Sequence, residues 1–210
     1  GYTAGSAGLV ILIMTITIAI VSPITGKLND KIGPTKPIIV AQIFATIGYI
    51  LIALMPTNLN WYLLSFGLVL IGSNTGIMYS ATNYAVSVNL PVDKKGVGFG
   101  MFSANSFISV SLGVAITGYL MSKASFSKFY AQILQHPSLH LLHAKTIDIL
   151  HDINGARPVT KLARYAPDHS DKIISIGKEA MSSGFSTCMW MFAILSFVSL
   201  CMCYFLRKKN

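Results

Sequence analysis

The side chains best suited to proton or metal chemistry lie outside the apolar stretches of this sequence. All five histidines and the one glutamate fall within residues 122–183. His136 and His140 are four positions apart, a spacing that can bind zinc on a helix. Pro137 interrupts that turn, however, and no Cys, Asp or Glu completes a ligand set. We therefore expect no metal and no cofactor. The favoured interpretation is an amphipathic helix that rests on the membrane surface or on the helical bundle. Four histidines would lie at its polar boundary: His136, His140, His143 and His151.

Catalytic patterns are absent from the sequence. No Ser/His/Asp or Cys/His arrangement and no phosphate-cradling glycine run stands out. Cys188, Cys201 and Cys203 lie in the last apolar segment, where their spacing fits neither a zinc site nor a disulfide framework. We expect that the chain is not an enzyme.

Composition indicates a membrane protein. Hydrophobic residues make up 53% of the 210 positions and charged residues 11%, against about 25% charged in soluble domains. Five stretches approach or exceed the roughly 20 apolar residues that cross a bilayer as a helix, and none contains Asp, Glu, Lys or Arg. The predicted fold is an all-α integral membrane bundle with five transmembrane helices, at Leu9–Ile24, Pro37–Met55, Trp61–Ser87, Val97–Met121 and Gly184–Leu206.

The basic residues predict the orientation. Lysines concentrate in two short connections, Thr25–Lys36 and Asn89–Gly96, and the C-terminal tail is also basic. These elements fall on one side of the membrane, which the positive-inside rule makes cytoplasmic. The organisation is then 1–121, four spans; 122–183, an extracytoplasmic polar loop with amphipathic helical segments; and 184–210, a final span with a cytoplasmic tail. The eight basic residues of the long loop oppose this orientation, although long segments cross largely regardless of charge. The net charge of +9 forms no patch for nucleic acid.

The connection after the first span carries a motif. It reads Gly26-Lys-Leu-Asn-Asp30-Lys31-Ile-Gly33-Pro-Thr-Lys36. Gly26 would let two helices approach closely, and Gly33 would supply a tight turn. Asp30 can accept hydrogen bonds from a helix N-terminus or pair with a lysine. The run resembles the G-x-L-x-D-[RK]-x-G-x-[RK]-[RK] signature of the major facilitator superfamily. That resemblance implies a conformational-gating loop that latches cytoplasmic helix ends in one state of an alternating-access cycle.

A wider resemblance covers residues 1–121 and the closing helix. Gly1-Tyr-Thr-Ala, Gly72-x-x-x-Gly76, Leu90-Pro91 and Leu112-Gly-Val-Ala look like the late helices of 14-helix EmrB/QacA-type drug:proton antiporters. The resemblance implies that the five spans are the tenth to fourteenth helices, with a cytoplasmic C-terminus. The sequence departs from that subfamily at Ser80, Ser103, Ser106 and Ser109, so its drug specificity does not carry over.

Two predicted helix faces are polar. The third span places Gly72, Gly76, Tyr79, Ser80, Asn83 and Ser87 on one face, and the fourth places Asn105, Ser106, Ser109, Gly113 and Thr117 on another. Such a face either lines a transport cavity or packs against another helix. Packing is favoured for the glycines and serines, and the choice stays open for the larger polar side chains. The substrate-cavity candidates are Tyr79, Asn83, Asn105 and Ser109.

These observations predict the C-terminal part of a secondary active transporter in the cell (inner) membrane. It would export hydrophobic or cationic small molecules in exchange for protons, within the lipid bilayer and together with the N-terminal part of the same transporter. No span contains a titratable carboxylate or histidine, so a coupling proton would bind elsewhere. The sequence starts at Gly1, and we expect a longer parent polypeptide. The alternative is a non-transporting membrane sensor or assembly subunit with a His-rich outer loop.

Overall fold

The computed structural model describes residues 4–55, 60–135 and 170–209. Within these residues the secondary structure is helical, with no strand. Each of five helices is long and apolar enough to cross a membrane, which confirms the predicted all-α membrane fold. The helices are α1 (Ala4–Ile32), α2 (Thr35–Ala53), α3 (Trp61–Asn89), α4 (Lys95–Leu134) and α5 (Ser170–Lys209), and a short 3-10 helix, Val92–Lys94, precedes α4.

The first helix is longer than predicted. The sequence placed a loop at Thr25–Lys36, but α1 continues to Ile32 and α2 begins at Thr35. Membrane thickness sets the apolar length a span needs, whereas a helix ends only where its backbone pattern breaks. Lys31 lies in the last turn of α1, where a positive charge is favourable beside the helix C-terminus. The signature residues from Gly26 to Ile32 are therefore helical.

Local signals set the bounds of α3. The side chain of Asn60 accepts a hydrogen bond from the backbone nitrogen of Tyr62 at 3.1 Å, which caps the N-terminus of the helix. At the other end Leu90 is extended, with φ −111° and ψ 139°. The residue before a proline avoids the helical region because the ring would clash with it, and Pro91 follows here.

The chain divides into two compact units, Gly1–Leu112 with Met189–Asn210, and Gly113–Cys188. In the first unit α3 contacts both α1 and α2. Gly72 faces the backbone of Met14, and Gly76 faces the backbone of Ile18. From the first contact to the second, the residue number increases along α1 and along α3 alike, so the two helices run parallel. A Cβ added at Gly72 would lie 2.9 Å from the Met14 carbonyl oxygen, and one at Gly76 would lie 3.2 Å from the Ile18 oxygen. The packing interpretation of these two glycines is confirmed.

Helix α2 packs on α3 through a second pair of glycines. A Cβ at Gly48 would lie 3.1 Å from the Gly67 carbonyl oxygen, and one at Gly67 would lie 2.7 Å from Cγ1 of Ile52. The two helices are antiparallel. Helix α5 reaches α2 through Tyr49 and Phe192, whose ring centroids are 5.5 Å apart.

The second unit pairs the end of α4 with the start of α5. Cys188 Sγ lies 3.7 Å from the Thr117 carbonyl oxygen, and Lys128 and Glu179 form an ion pair at 3.3 Å. From the first contact to the second, the residue number increases along α4 and decreases along α5, so the two helices are antiparallel. Four apolar side chains are buried here: Phe129, Ile133, Ile176 and Ala180. Both helices thus extend beyond the predicted spans as one packed pair.

Gly72→Ala is expected to lower the free energy of unfolding by about 1–3 kcal/mol, because the new methyl group overpacks against the Met14 backbone, which cannot rotate away. Thermal or SDS-driven unfolding in detergent, followed by circular dichroism, measures the change. Gly118→Ala is the control, since a Cβ there meets none of the described residues within 4 Å; it should be neutral or stabilising by up to about 1 kcal/mol. Equal stability of the two variants would contradict the close contact.

Candidate functional site

The signature motif forms a sharp turn between α1 and α2. Gly33 has φ +73°, the left-handed region that favours glycine. Its backbone nitrogen donates to the Asn29 carbonyl oxygen at 3.0 Å, which closes the last turn of α1. Pro34 follows with helical dihedrals and is the N-cap residue of α2. Only Gly33 and Pro34 separate the two helices, so the turn that the sequence predicts at Gly33 is present.

The charged residues of the motif lie on its outer surface. Asp30, Lys31 and Lys36 are exposed. Among the described residues Asp30 forms no ion pair within 4.0 Å, so the Asp–Lys contact that the sequence allows is not formed there. A Cβ added at Gly26 would meet only Ser80 Oγ, at the ordinary distance of 3.8 Å. In the described part of the chain Gly26 is therefore not needed for a close helix approach.

Asn29 is the buried polar residue of this turn, and the sequence reasoning missed it. Its exposed fraction is 0%, and neither Nδ2 nor Oδ1 has a hydrogen-bond partner among the described residues. Thr25, one turn earlier, is also buried but donates to the Val21 carbonyl oxygen at 2.9 Å. The signal was available, because Thr25 and Asn29 continue the α1 face that carries Ile18 and Val21.

Replacing Asn29 with leucine is expected to raise the free energy of unfolding by about 1 kcal/mol or more. A buried amide without a partner costs about 1–3 kcal/mol, and leucine of similar size removes that cost. Unfolding in detergent measures the effect. Thr25→Val is the matched control on the same face and should change stability little, because it removes a hydroxyl and its hydrogen bond together. Destabilisation by Asn29→Leu alone would show that the amide has a partner.

A cleft separates α3 from the start of α4. Its volume is about 290 Å³, and Phe102 of α4 faces five residues of α3 across it. At one end, Leu90 and Val86 lie against Gly98. The lining is uncharged and combines aromatic, thioether, amide and hydroxyl groups: Asn74, Thr75, Met78, Tyr79, Thr82 and Phe102.

The four predicted cavity residues do not lie together in this cleft. Tyr79 lines it and is 65% exposed. Asn83 donates through Nδ2 to the Tyr79 carbonyl oxygen at 2.7 Å, within its own helix. Asn105 and Ser109 are exposed on α4 and are not among the lining residues. One of the four thus faces the cleft, whereas Asn74 and the two threonines were not predicted.

A polar cluster lies behind the cleft. Gln42 Nε2 donates to Met78 Sδ at 3.9 Å, which connects α2 to a lining residue. Ser196 Oγ of α5 donates to Gln42 Oε1 at 3.1 Å and lies 3.1 Å from Thr46 Oγ1. Polar contacts between helices are favourable in lipid, where an unpaired group has no water to bind. Hydrogen bonds from Ser196 thus orient the Gln42 side chain, whose amide nitrogen contacts Met78. Gln42 is the one glutamine in the second predicted span, a signal that the sequence reasoning did not use.

The histidines of the alternative metal hypothesis lie outside the described residues. Within the described residues no three His, Cys, Asp or Glu side chains group as metal ligands would. The structure therefore does not bear on His136, His140, His143 or His151.

The helices and the Gly33 turn define a multi-pass helical membrane protein. Comparison with protein families matches residues 1–132 to the Major Facilitator Superfamily. This chain belongs to that superfamily, as the signature at Gly26–Lys36 predicts.

Several curated transporters and resistance proteins are similar to this chain. The riboflavin transporter RibZ of Clostridioides difficile is 29% identical over 130 residues, which are 62% of this chain and 26% of RibZ. The multidrug resistance protein Stp of Mycobacterium tuberculosis is 29% identical over 122 residues, 58% of this chain and 22% of Stp. The quinolone resistance protein NorB of Staphylococcus aureus is 26% identical over 120 residues, 56% of this chain and 26% of NorB.

The matched part of the chain spans about a quarter of the length of these relatives. No solved structure matches the chain significantly.

Proposed function

We propose that this chain forms the C-terminal five helices of a secondary active transporter that exports hydrophobic or cationic small molecules in exchange for protons. The observation that carries the proposal is the Gly33 turn, with Asp30 exposed on the last turn of α1. Relatives named for multidrug and quinolone resistance support export of drug-like compounds. The relative named as a riboflavin transporter supports a broader range of small molecules.

The turn acts as a conformational latch in this proposal. Asp30 carries a negative charge without an ion pair in the described residues. In an alternating-access cycle two helical bundles rock about a central site, and contacts at their ends stabilise one state. A helix N-terminus of the other bundle presents the backbone N–H donors that a carboxylate binds well. Lys31 and Lys36 flank Asp30 and add contacts to that surface.

The transport cavity lies along α3 and α4 in this proposal, with Tyr79, Asn83, Asn105 and Ser109 as wall residues. The five predicted spans contain no Asp, Glu, Lys, Arg or His. The group that binds the coupling proton therefore belongs to the N-terminal part of the same transporter. The lysines at both short connections and the basic tail support an inner-membrane protein with a cytoplasmic C-terminus.

Asp30→Asn in the full-length protein is expected to reduce proton-driven transport in proteoliposomes by roughly tenfold to a hundredfold. A hydrogen bond to a charged group contributes about 1.5–3 kcal/mol, and about 1.4 kcal/mol corresponds to a factor of ten. Flux of a fluorescent cationic dye under an imposed pH gradient measures the change. Circular dichroism verifies helical content, and flotation with the proteoliposomes verifies insertion.

The control is Asp93→Asn, which removes an exposed acid from the Val92–Lys94 turn. Its flux should remain near that of the unaltered protein. Full flux in Asp30→Asn would overturn the latch role, and flux that ignores the pH gradient would overturn proton exchange. Absence of flux for every compound offered would instead favour a sensor or assembly subunit.

A further inference from the structure

The polar lining of the α3–α4 cleft is unbalanced between hydrogen-bond donors and acceptors. Thr75 Oγ1 donates its hydrogen to the Ile71 carbonyl oxygen at 3.0 Å. Thr82 Oγ1 donates to the Met78 carbonyl oxygen at 2.6 Å. A hydroxyl group has one hydrogen and two lone pairs, so a threonine that bonds back to its own helix retains only acceptor capacity. Both threonines line the cleft as acceptors.

Asn74 adds to this imbalance. Its Oδ1 is buried and has no hydrogen-bond partner among the described residues. A buried acceptor without a partner is unfavourable, and a ligand that donates to it relieves the cost. The two threonine oxygens supply acceptors in the same lining whichever way the amide of Asn74 is turned. The remaining side-chain donors of the lining are the Asn74 amide nitrogen and the Tyr79 hydroxyl.

The apolar part of the lining favours a flat aromatic partner that carries N–H groups. Phe102 and Tyr79 offer ring faces, which carry negative electrostatic potential and attract cations and N–H groups. Met78 offers a polarisable thioether, which makes favourable contacts with aromatic rings. Among the described residues no charged side chain lines the cleft, so none of them compensates the desolvation of an anion.

The cleft is small. Its volume of about 290 Å³ lies just below the roughly 300–1,000 Å³ typical of ligand pockets. It therefore holds a one- or two-ring group, either a small compound or one part of a larger one.

We propose that the α3–α4 cleft is a binding site for small aromatic compounds that carry N–H donors, and that Thr75 and Thr82 select these over analogues without donors. This inference rests on the proposed export function and adds the chemical basis of its selectivity. An aromatic amine donates to the threonine oxygens while its ring stacks between Phe102 and Tyr79. Its N,N-dimethyl analogue fits the same apolar walls but leaves the oxygens without a donor.

The test compares 6-aminoquinoline with 6-(dimethylamino)quinoline, two fluorescent probes that differ at the amine. Binding to the full-length protein in nanodiscs is measured by titration, with empty nanodiscs subtracted for lipid partitioning. The unaltered protein should bind the amine about three- to tenfold more tightly than the dimethyl compound, because each neutral hydrogen bond contributes modestly. In the Thr75→Val, Thr82→Val double variant the ratio should fall to near one.

The matched control is Thr15→Val. Thr15 also donates to its own helix, to the Ile11 carbonyl oxygen at 3.0 Å, but it lies on α1 and does not line the cleft. The ratio of affinities for the two probes should be the same in Thr15→Val as in the unaltered protein. Thermal unfolding of each variant is measured alongside, and single substitutions replace the double variant if it does not fold.

Three results would overturn the inference: equal binding of both probes, no binding of either, or an unchanged ratio in the threonine variants. The titration requires no transport. A protein that shows the ratio but no gradient-driven flux would contradict the proposed function alone, and one that transports without the ratio would contradict this inference alone.

Discussion

Backbone contact between α3 and α1 is the constraint on which the first unit depends. Lipid surrounds the helices with a solvent as apolar as their side chains, so burial of apolar surface does not drive them together as it does in water. Close packing must supply the attraction, and Gly72 and Gly76 allow the carbonyls of Met14 and Ile18 to approach. Large apolar side chains on the opposite face of α1 are exposed, which suits contact with lipid: Leu9, Leu12, Ile16, Ile20 and Ile24.

This contact also positions the proposed latch. Because α1 and α3 run parallel in register, the buried face of α1 continues past the membrane-length stretch to Thr25 and Asn29. Asp30 is the next residue after Asn29 and points away from that buried face, since consecutive side chains on a helix are about 100° apart. Gly33 then ends α1 at a fixed place. The same orientation of α1 about its axis thus packs it against Gly72 and Gly76 and leaves Asp30 exposed.

Helix α3 serves the cleft in a similar way. Its glycine faces engage α1 and α2, which leaves the face with Thr75, Met78 and Thr82 directed toward α4. The Gln42–Ser196 contact supports Met78 from behind. The uncharged lining is consistent with the proposed handling of neutral or cationic apolar compounds by a member of the Major Facilitator Superfamily.

The sequence predicted the features that one helix can specify alone. The number of spans and the all-α membrane class follow from the length and composition that lipid requires. The Gly33 turn follows from a motif whose glycine adopts the positive φ that the turn requires. The end of α1 was misplaced because apolar length does not mark where a helix stops. Gln42 and Ser196 were missed because their partners lie on other helices, whose rotations only packing determines. Asn29 has no hydrogen-bond partner among the described residues and was missed although it continues the buried face of α1. Asn83 stays a proposed cavity residue, and the structure adds that its amide donates to the backbone of its own helix, an option open to any asparagine in a helix.

Disulfide trapping between α1 and α3 tests the central packing claim most directly. A Cβ at position 26 lies 3.8 Å from Ser80 Oγ, within the reach of a disulfide. In a variant lacking Cys188, Cys201 and Cys203, the pair Gly26→Cys and Ser80→Cys should cross-link rapidly under mild oxidation, as detected by mass spectrometry of the joined peptides. Gly26→Cys with Ser65→Cys should not, since Ser65 lies roughly 22 Å away along α3 at 1.5 Å per residue. Cross-linking to Ser65→Cys in place of Ser80→Cys would contradict the parallel contact.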